Sequence, residues 1–274
     1  MPSGTCSTEP PPIADEFLYT PPRMNLKGKA AFVTGGSGDI GAAIAQQLAA
    51  AGADVAISYV GHINGAAATT ASVQATGQRG FAVQLDQRDP KSVDSCVDEV
   101  VNGLGRLDIL VNNAGWNIGI PFKKLDDLTE DVWNRVQETN LRGPFLISRA
   151  FAPHLRARGA GRIVNIASVG GLRPASSSIA YSVSKAGLIH LTRCLAVALA
   201  PSITVNCVAP GLVEGTRIAK RLPPEVSDHA RREAVLGVTA SIDDIAAQVL
   251  TFCRADSVTG QVTVVDGGMP GGMH

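Results

Sequence analysis

Tyr181 and Lys185 stand four residues apart in the stretch YSVSK, a spacing that sets two side chains on one face of a helix. A phenol with a pKa near ~10 is a poor base at neutral pH, but an ammonium beside it stabilises the phenolate. Such a pair can exchange a proton with a neighbouring oxygen at working pH. Ser168 lies 13 positions before Tyr181, at the end of the apolar run GRIVNIAS.

A second group of residues suits phosphate. The run TGGSGDIG, Thr34 to Gly41, leaves an apolar segment, turns on Gly35, Gly36, Gly38 and Gly41, and enters an alanine-rich helix through Ile40. Glycines here permit a tight turn, let backbone N–H groups reach a pyrophosphate and let the helix press on the strand. Residues 36–41 also satisfy GxGxxG literally. Asp39 puts a negative charge into this loop. A carboxylate at a helix opening meets the positive dipole end, so Asp39 is expected to cap the helix with its side chain turned from the pyrophosphate.

An acidic residue about twenty positions on would hold an adenosine ribose. Asp54 falls near that count but begins its strand, whereas ligands lie at strand C-terminal ends, which points to Ser58 and Tyr59. Neither is acidic. The absence tilts the cofactor toward NADP(H), with NAD(H) the alternative, and leaves Ser37, Ser58, His62 and Asn64 as candidate phosphate contacts.

These groups need a scaffold. Short apolar segments alternate with helical ones from Lys29 onward: AAFVTG, DVAISY, GFAVQLD, LDILVNNAG, GRIVNIAS, ITVNCVAPG and QVTVVDGG are separated by helix-patterned stretches. Segments too short for helices and too continuous for half-exposed strands belong to a parallel sheet covered on both faces. In the third helix Val93, Val97, Val100 and Val101 form one stripe. The expected fold is α/β: a doubly wound Rossmann-type domain with a mostly parallel seven-stranded sheet and helices on both faces. No repeat or composition break divides residues 24–274, so one domain is expected. Residues 1–23, with Pro10, Pro11, Pro12, Pro21 and Pro22, read as an extended arm rather than a signal peptide or membrane span. Residues 212–240 follow a strand's C-terminal end and carry Arg217, Lys220, Arg221, Arg231 and Arg232, which makes them a candidate substrate lid.

Lys plus Arg (24) balance Asp plus Glu (24), so the charge gives no reason to expect nucleic acid or an anionic membrane as partner. The 5 cysteines are scattered without CxxC or Cys/His spacing. Neither a disulfide framework nor a metal site is expected, and a cytoplasmic setting fits.

Four pieces in order, NNAG at Asn112 to Gly115, Asn140 in TNLRG, Ser168, and Tyr181 with Lys185, join the glycine loop and Pro210-Gly211. With these the chain resembles the short-chain dehydrogenase/reductase family, in its short single-domain form, from about Leu26 to Gly268. The resemblance implies reversible hydride transfer between a nicotinamide and a small-molecule carbonyl or secondary alcohol (ketone, sugar or polyol). It makes Tyr181 the general acid/base, with Lys185 and the oxidised nicotinamide lowering its pKa, Ser168 the group that hydrogen-bonds the reacting oxygen, and Asn140 the residue that holds a water in a proton relay through Lys185. It assigns cofactor contacts to Gly35, Ser37, Asp39, Ile40, Gly41, Ser58, Tyr59, Asp86, Asn112, Ala114, Gly115, Tyr181, Lys185, Pro210, Gly211 and Val213, and it implies a homotetramer. In the family pattern TGxxxGxG the middle glycine would fall at position 39, so the GxGxxG match is a false register. The loop also lacks the basic residue that many NADP-binding relatives carry at position 38. The family often has a threonine three positions after Gly211, where this chain has Glu214 and Gly215 before Thr216, so either the loop bulges or that contact is lost, and Thr216 is the nearest replacement.

Trp116, Asn117, residues 169–174 and the lid are expected to line the pocket. Their few fixed charges suit a neutral carbonyl, while the lid arginines leave an anionic substrate open. Two other readings compete. A non-catalytic dinucleotide-binding regulator of the same fold would be expected to lose the tyrosine or lysine, and this chain keeps both. Epimerase or dehydratase relatives append a larger substrate domain, for which the 6 residues after Gly268 are too few.

Overall fold

The computed structural model describes residues 24–270 apart from 175 and 218. The N-terminal arm expected over residues 1–23 lies outside the described residues.

Seven parallel strands form one sheet in the order β3-β2-β1-β4-β5-β6-β7: β1 (Ala30–Val33), β2 (Asp54–Tyr59), β3 (Gly80–Gln84), β4 (Ile109–Asn112), β5 (Gly161–Ile166), β6 (Ile203–Pro210) and β7 (Val262–Val265). The order reverses direction between β1 and β4, and at such a switch point the strand ends diverge and leave a crevice. β1 shows why the sheet must be covered twice. Ala31 and Val33 point into one core and Ala30 and Phe32 into the other, all with almost no exposure.

Three helices cover each face. Ile44, Ala45 and Leu48 of α1 (Asp39–Ala50), Ala66 and Val73 of α2 (Ile63–Gln74), and Ile245, Ala246, Val249 and Phe252 of α8 (Ile242–Arg254) fill the first core. The second is filled by α3 (Pro90–Leu104), α5 (Gly143–Arg156) and α6 (Ile179–Leu199), where Phe151 meets Phe32 at 5.2 Å between ring centroids. Val93, Val97 and Val100 of the α3 stripe are buried there, with Val101 half-buried at its edge. Local chemistry sets the ends of α3: Asp89 accepts from the Lys91 N–H, Pro90 opens the first turn, and Gly105 closes the last with φ +73°.

Two helices go beyond the expected set. α4 (Glu130–Gln137) is short and mostly exposed, and α8 lies beyond the lid, where its stripe matches the flank of α1. α4 runs through a π-helical turn, Glu138–Arg142, into α5. The lid segment holds a 3-10 turn at Ala219–Arg221 and one helix, α7 (Pro224–Glu233), and its base is pinned by a bridge between Val213 and Ala240. By length and composition α6 could cross a bilayer, but Leu188, Leu195 and Leu199 are buried against the sheet.

Candidate active site

α6 places Tyr181 in its first turn and Lys185 one turn later. Ser178 caps the helix, its hydroxyl accepting from the Tyr181 N–H at 3.2 Å, so the phenol's origin is fixed at a rigid helix start. Lys185 is only 4% exposed, donates from Nζ to the Ile166 carbonyl at 2.9 Å, and lies 5.6 Å from the Tyr181 ring centroid. Burial pulls its ammonium down to a pKa of about 8, because the charged form loses water. Burial pushes the Tyr181 phenol up, and a hydrogen bond with Ser168 acts against that rise. Ser168 lies two residues past β5, and its own hydroxyl accepts from the Gly170 N–H at 3.1 Å, which orients it.

The π-turn brings in Asn140. Its side chain, fully buried, accepts from the Trp116 N–H at 2.7 Å and donates to the Trp116 carbonyl at 2.9 Å and to Ser184 at 3.1 Å. An extra residue in one helical turn lets this amide face inward beside Lys185. Gly115 closes the same space: a Cβ there would stand 3.3 Å from Asn140 Oδ1 and 3.6 Å from Lys185 Nζ. Asn140, Ser168, Tyr181 and Lys185, separated by up to 45 positions in sequence, thus converge at the C-terminal ends of β4 and β5.

The glycine loop is built for close approach. A Cβ on Gly36 would stand 2.6 Å from Ile57, and one on Gly41 would stand 2.5 Å from both the Asn113 amide and the Gly35 carbonyl. Gly38 serves as the N-cap of α1 and brings no side chain to its first N–H groups, and no acidic side chain closes β2. Uncapped donors, bare backbone and the absence of a competing carboxylate fit a dinucleotide, with its pyrophosphate at this helix start.

One expectation for this region needs correction, and three further assigned residues are buried. Asp39 does not cap α1. It occupies a backbone with φ +21°, and its carboxylate accepts from the Arg217 N–H at 2.9 Å while lying 3.5 Å from the Arg217 Nε. The cause is the backbone itself: at the position where the family pattern has glycine, positive φ swings the side chain out toward the lid. Ser58 is buried, and its hydroxyl accepts from the Gly35 N–H at 3.0 Å, tying the loop to β2. Asn112 faces the core, where its amide donates to Ser148 at 3.0 Å and to Asn165 at 2.8 Å, so it supports the sheet and offers the crevice no side chain. Thr216 is turned inward, its hydroxyl donating to the Val213 carbonyl at 2.8 Å and accepting from the Ala219 N–H at 3.2 Å. Gly215, at φ +80°, makes the turn that places it there.

The remaining assigned positions line the crevice edge. Ser37 and Ile40 stand in the loop and the first turn of α1, Tyr59 ends β2, and Pro210, Gly211 and Val213 follow β6. Asp86, just past β3, accepts from Arg88 Nε at 2.9 Å and Nη2 at 2.6 Å, which keep its carboxyl below the usual range. Residues without a motif complete the frame. Thr34 Oγ1 accepts from the N–H groups of Asn113 and Ala114, both at 3.0 Å, and Gln87 donates to the carbonyls of Thr139 at 2.6 Å and Ala114 at 3.3 Å. Gln87 follows a strand's C-terminal end, the only signal that could have marked it. In the outer pocket Arg135 stacks 4.1 Å from the Trp116 ring centroid, and Asn117 accepts from Ser177.

A doubly wound sheet with a bare glycine loop at its switch point and a tyrosine, lysine and serine converging beside it defines a dinucleotide-dependent oxidoreductase. A family model described as enoyl-(acyl carrier protein) reductase matches residues 36–270. The chain is 35% identical to a 3-oxoacyl-(acyl-carrier-protein) reductase of Aquifex aeolicus, over 90% of this chain and 99% of that protein. Among solved structures, a short-chain dehydrogenase of Burkholderia cenocepacia in complex with NADP superposes with a TM-score of 0.82 at 40% identity, covering 90% of this chain and 99% of that one. An NAD+-bound xylitol dehydrogenase gives 0.84 at 28% identity, covering 89% and 100%. The chain belongs to the short-chain dehydrogenase/reductase family, whose NAD(P)-dependent oxidoreductases act on carbonyl and CH–OH groups.

Proposed function

We propose that this protein reduces the ketone of a small molecule to a secondary alcohol with NADPH, and that Tyr181 delivers the proton. The observation that carries the reading is the convergence of Tyr181, Ser168 and Lys185 at the C-terminal edge of the sheet. A phenol that holds its proton at neutral pH can give it to a carbonyl oxygen placed there. Ser168 donates a second hydrogen bond to that oxygen, and Lys185, fixed on the Ile166 carbonyl, steadies the phenolate left behind. When bound, the nicotinamide supplies the hydride. Asn140 lies beside Lys185, where a relay that returns the proton to Tyr181 would run. Alcohol oxidation is the reverse of these steps and needs the phenolate, so it is favoured at higher pH.

NADP(H) is supported by the absence of an acid at the end of β2 and by the NADP held by the Burkholderia cenocepacia structure. For the substrate, the Aquifex aeolicus relative favours a 3-oxoacyl group. The apolar lid residues Val226, Val235, Leu236 and Val238, all exposed, suit an acyl chain more than a polyol. We place the protein in the cytoplasm as a homotetramer. Support for assembly comes from a surface groove of about 380 Å³ lined by Gln137, Leu141, Phe145 and Leu191, with Val197 of α6 82% exposed.

Tyr181→Phe is the decisive variant. Turnover of a 3-oxoacyl thioester with NADPH should fall by about three orders of magnitude or more while NADPH fluorescence on binding is retained. Unchanged turnover would remove Tyr181 from the chemistry and favour the dinucleotide-binding regulator.

A further inference from the structure

Arg217 belongs to the lid, yet its guanidinium lies on the glycine loop. A Cβ placed on Gly38 would fall 2.2 Å from Arg217 Nη2, so this guanidinium fills the volume that a side chain at position 38 would take. Its backbone N–H and its Nε are oriented by Asp39, at 2.9 and 3.5 Å. Its Nη1 lies 3.4 Å from His62 Nδ1, which is itself 2.7 Å from the Ser37 carbonyl. A carbonyl can only accept, so Nδ1 carries the proton there, and the Arg217 contact sets donor against donor. The Arg217 side chain is 54% exposed, and neither terminal nitrogen meets an oxygen acceptor among the described residues. The guanidinium from the lid and the imidazole at the start of α2 thus gather beyond the C-terminal end of β2, the end that faces the adenosine ribose in this fold. An anion there would take up the terminal nitrogens of Arg217.

We infer that Arg217 is a specificity-determining residue for the cofactor: carried in on the lid and set by Asp39, it binds the 2′-phosphate of NADP(H) in place of a basic residue at position 38. The inference rests on the dinucleotide of the proposed function but on none of its chemistry. It also makes the lid a part of the cofactor site, so lid position and cofactor identity are linked.

The test uses binding alone. Adenosine 2′,5′-bisphosphate and adenosine 5′-monophosphate are titrated calorimetrically into the full-length protein, whose response does not depend on turnover. The wild type should bind the bisphosphate about ten-fold or more tightly than the monophosphate. Arg217→Ala should close that gap to about two-fold by weakening the bisphosphate only. Adding Gly38→Arg to this variant should reopen the gap, since removal of the guanidinium frees the space and Gly38, at φ −141°, has a backbone any residue adopts. A wild type without the gap, a gap that survives Arg217→Ala, or equal weakening of both ligands would overturn the assignment. Retained turnover in Tyr181→Phe would overturn the proposed reaction and leave this result standing.

Discussion

Lys185 keeps an ammonium where water is nearly excluded, and its cost can be read as a pH dependence. In the unfolded chain the group holds its proton up to about pH 10.5 and in the folded chain only up to about 8. Between these values the unfolded state binds more protons, so this residue's contribution to stability rises with pH from 8 to 10.5. Below 8 its penalty is fully present, at about 3 kcal/mol. Lys185→Met should therefore be inactive yet more stable than the wild type at pH 7, with the advantage shrinking as pH rises through that window. Denaturant melts at pH 7 and pH 10 decide it. A less stable variant at pH 7 would mean that the bond to the Ile166 carbonyl outweighs the desolvation. At this scale the chemistry was legible, because a spacing of four and an ordered set of motifs fix Tyr181 and Lys185 on one helix face. Thr34, Gln87 and the orientation of Arg217 were not, since their partners lie 27 to 178 positions away and no local pattern encodes them.

Among elements, the turn from β1 into α1 carries the instructive error. The dipole favours an acid at a helix start, and that consideration alone predicted a cap. Backbone geometry decided otherwise, because the second turn residue of this loop needs positive φ, and Asp39 adopts φ +21° at a cost of about 1 kcal/mol or more. Asp39→Gly and Asp39→Ala both remove the carboxylate that holds Arg217, so their difference isolates the strain. The glycine variant should be the more stable of the two by about 1 kcal/mol. Equal melting midpoints would show that the loop relaxes freely. Helix existence was read correctly for α1, α2, α3, α5 and α6, whose stripes lie between recognisable strands. α4 escaped because most of its surface is exposed, and α8 because its stripe lies after the irregular lid.

For the molecule as a whole, the seven strands and the two-faced core were visible in the continuous apolar runs, whereas the surface proposed to assemble copies rests on exposed side chains. Phe145 is 40% exposed at the rim of the groove on α5. Phe145→Glu would set a charge in a desolvated interface, so it should lower the mass seen by light scattering from a tetramer to a dimer or monomer. A wild type that is already monomeric would remove the assembly proposal.

The buried amides of Asn112 and Asn165 bear on how the chain finds its register. The two sit opposite each other on β4 and β5, and the line of bonds continues from Asn165 Nδ2 to Thr192 at 2.9 Å and from Thr192 to the Leu188 carbonyl at 2.9 Å. The neighbouring strands read ILVN and GRIVNI, and apolar runs this similar would bury almost as well if one slid past the other. Sliding by one residue would turn one amide to the opposite face and part it from its partner, at roughly 1 to 3 kcal/mol for each group stranded without a bond. Two asparagines thus act as a key between otherwise interchangeable strands, and they exact a folding penalty for any misalignment of the edge on which Ser168 is carried.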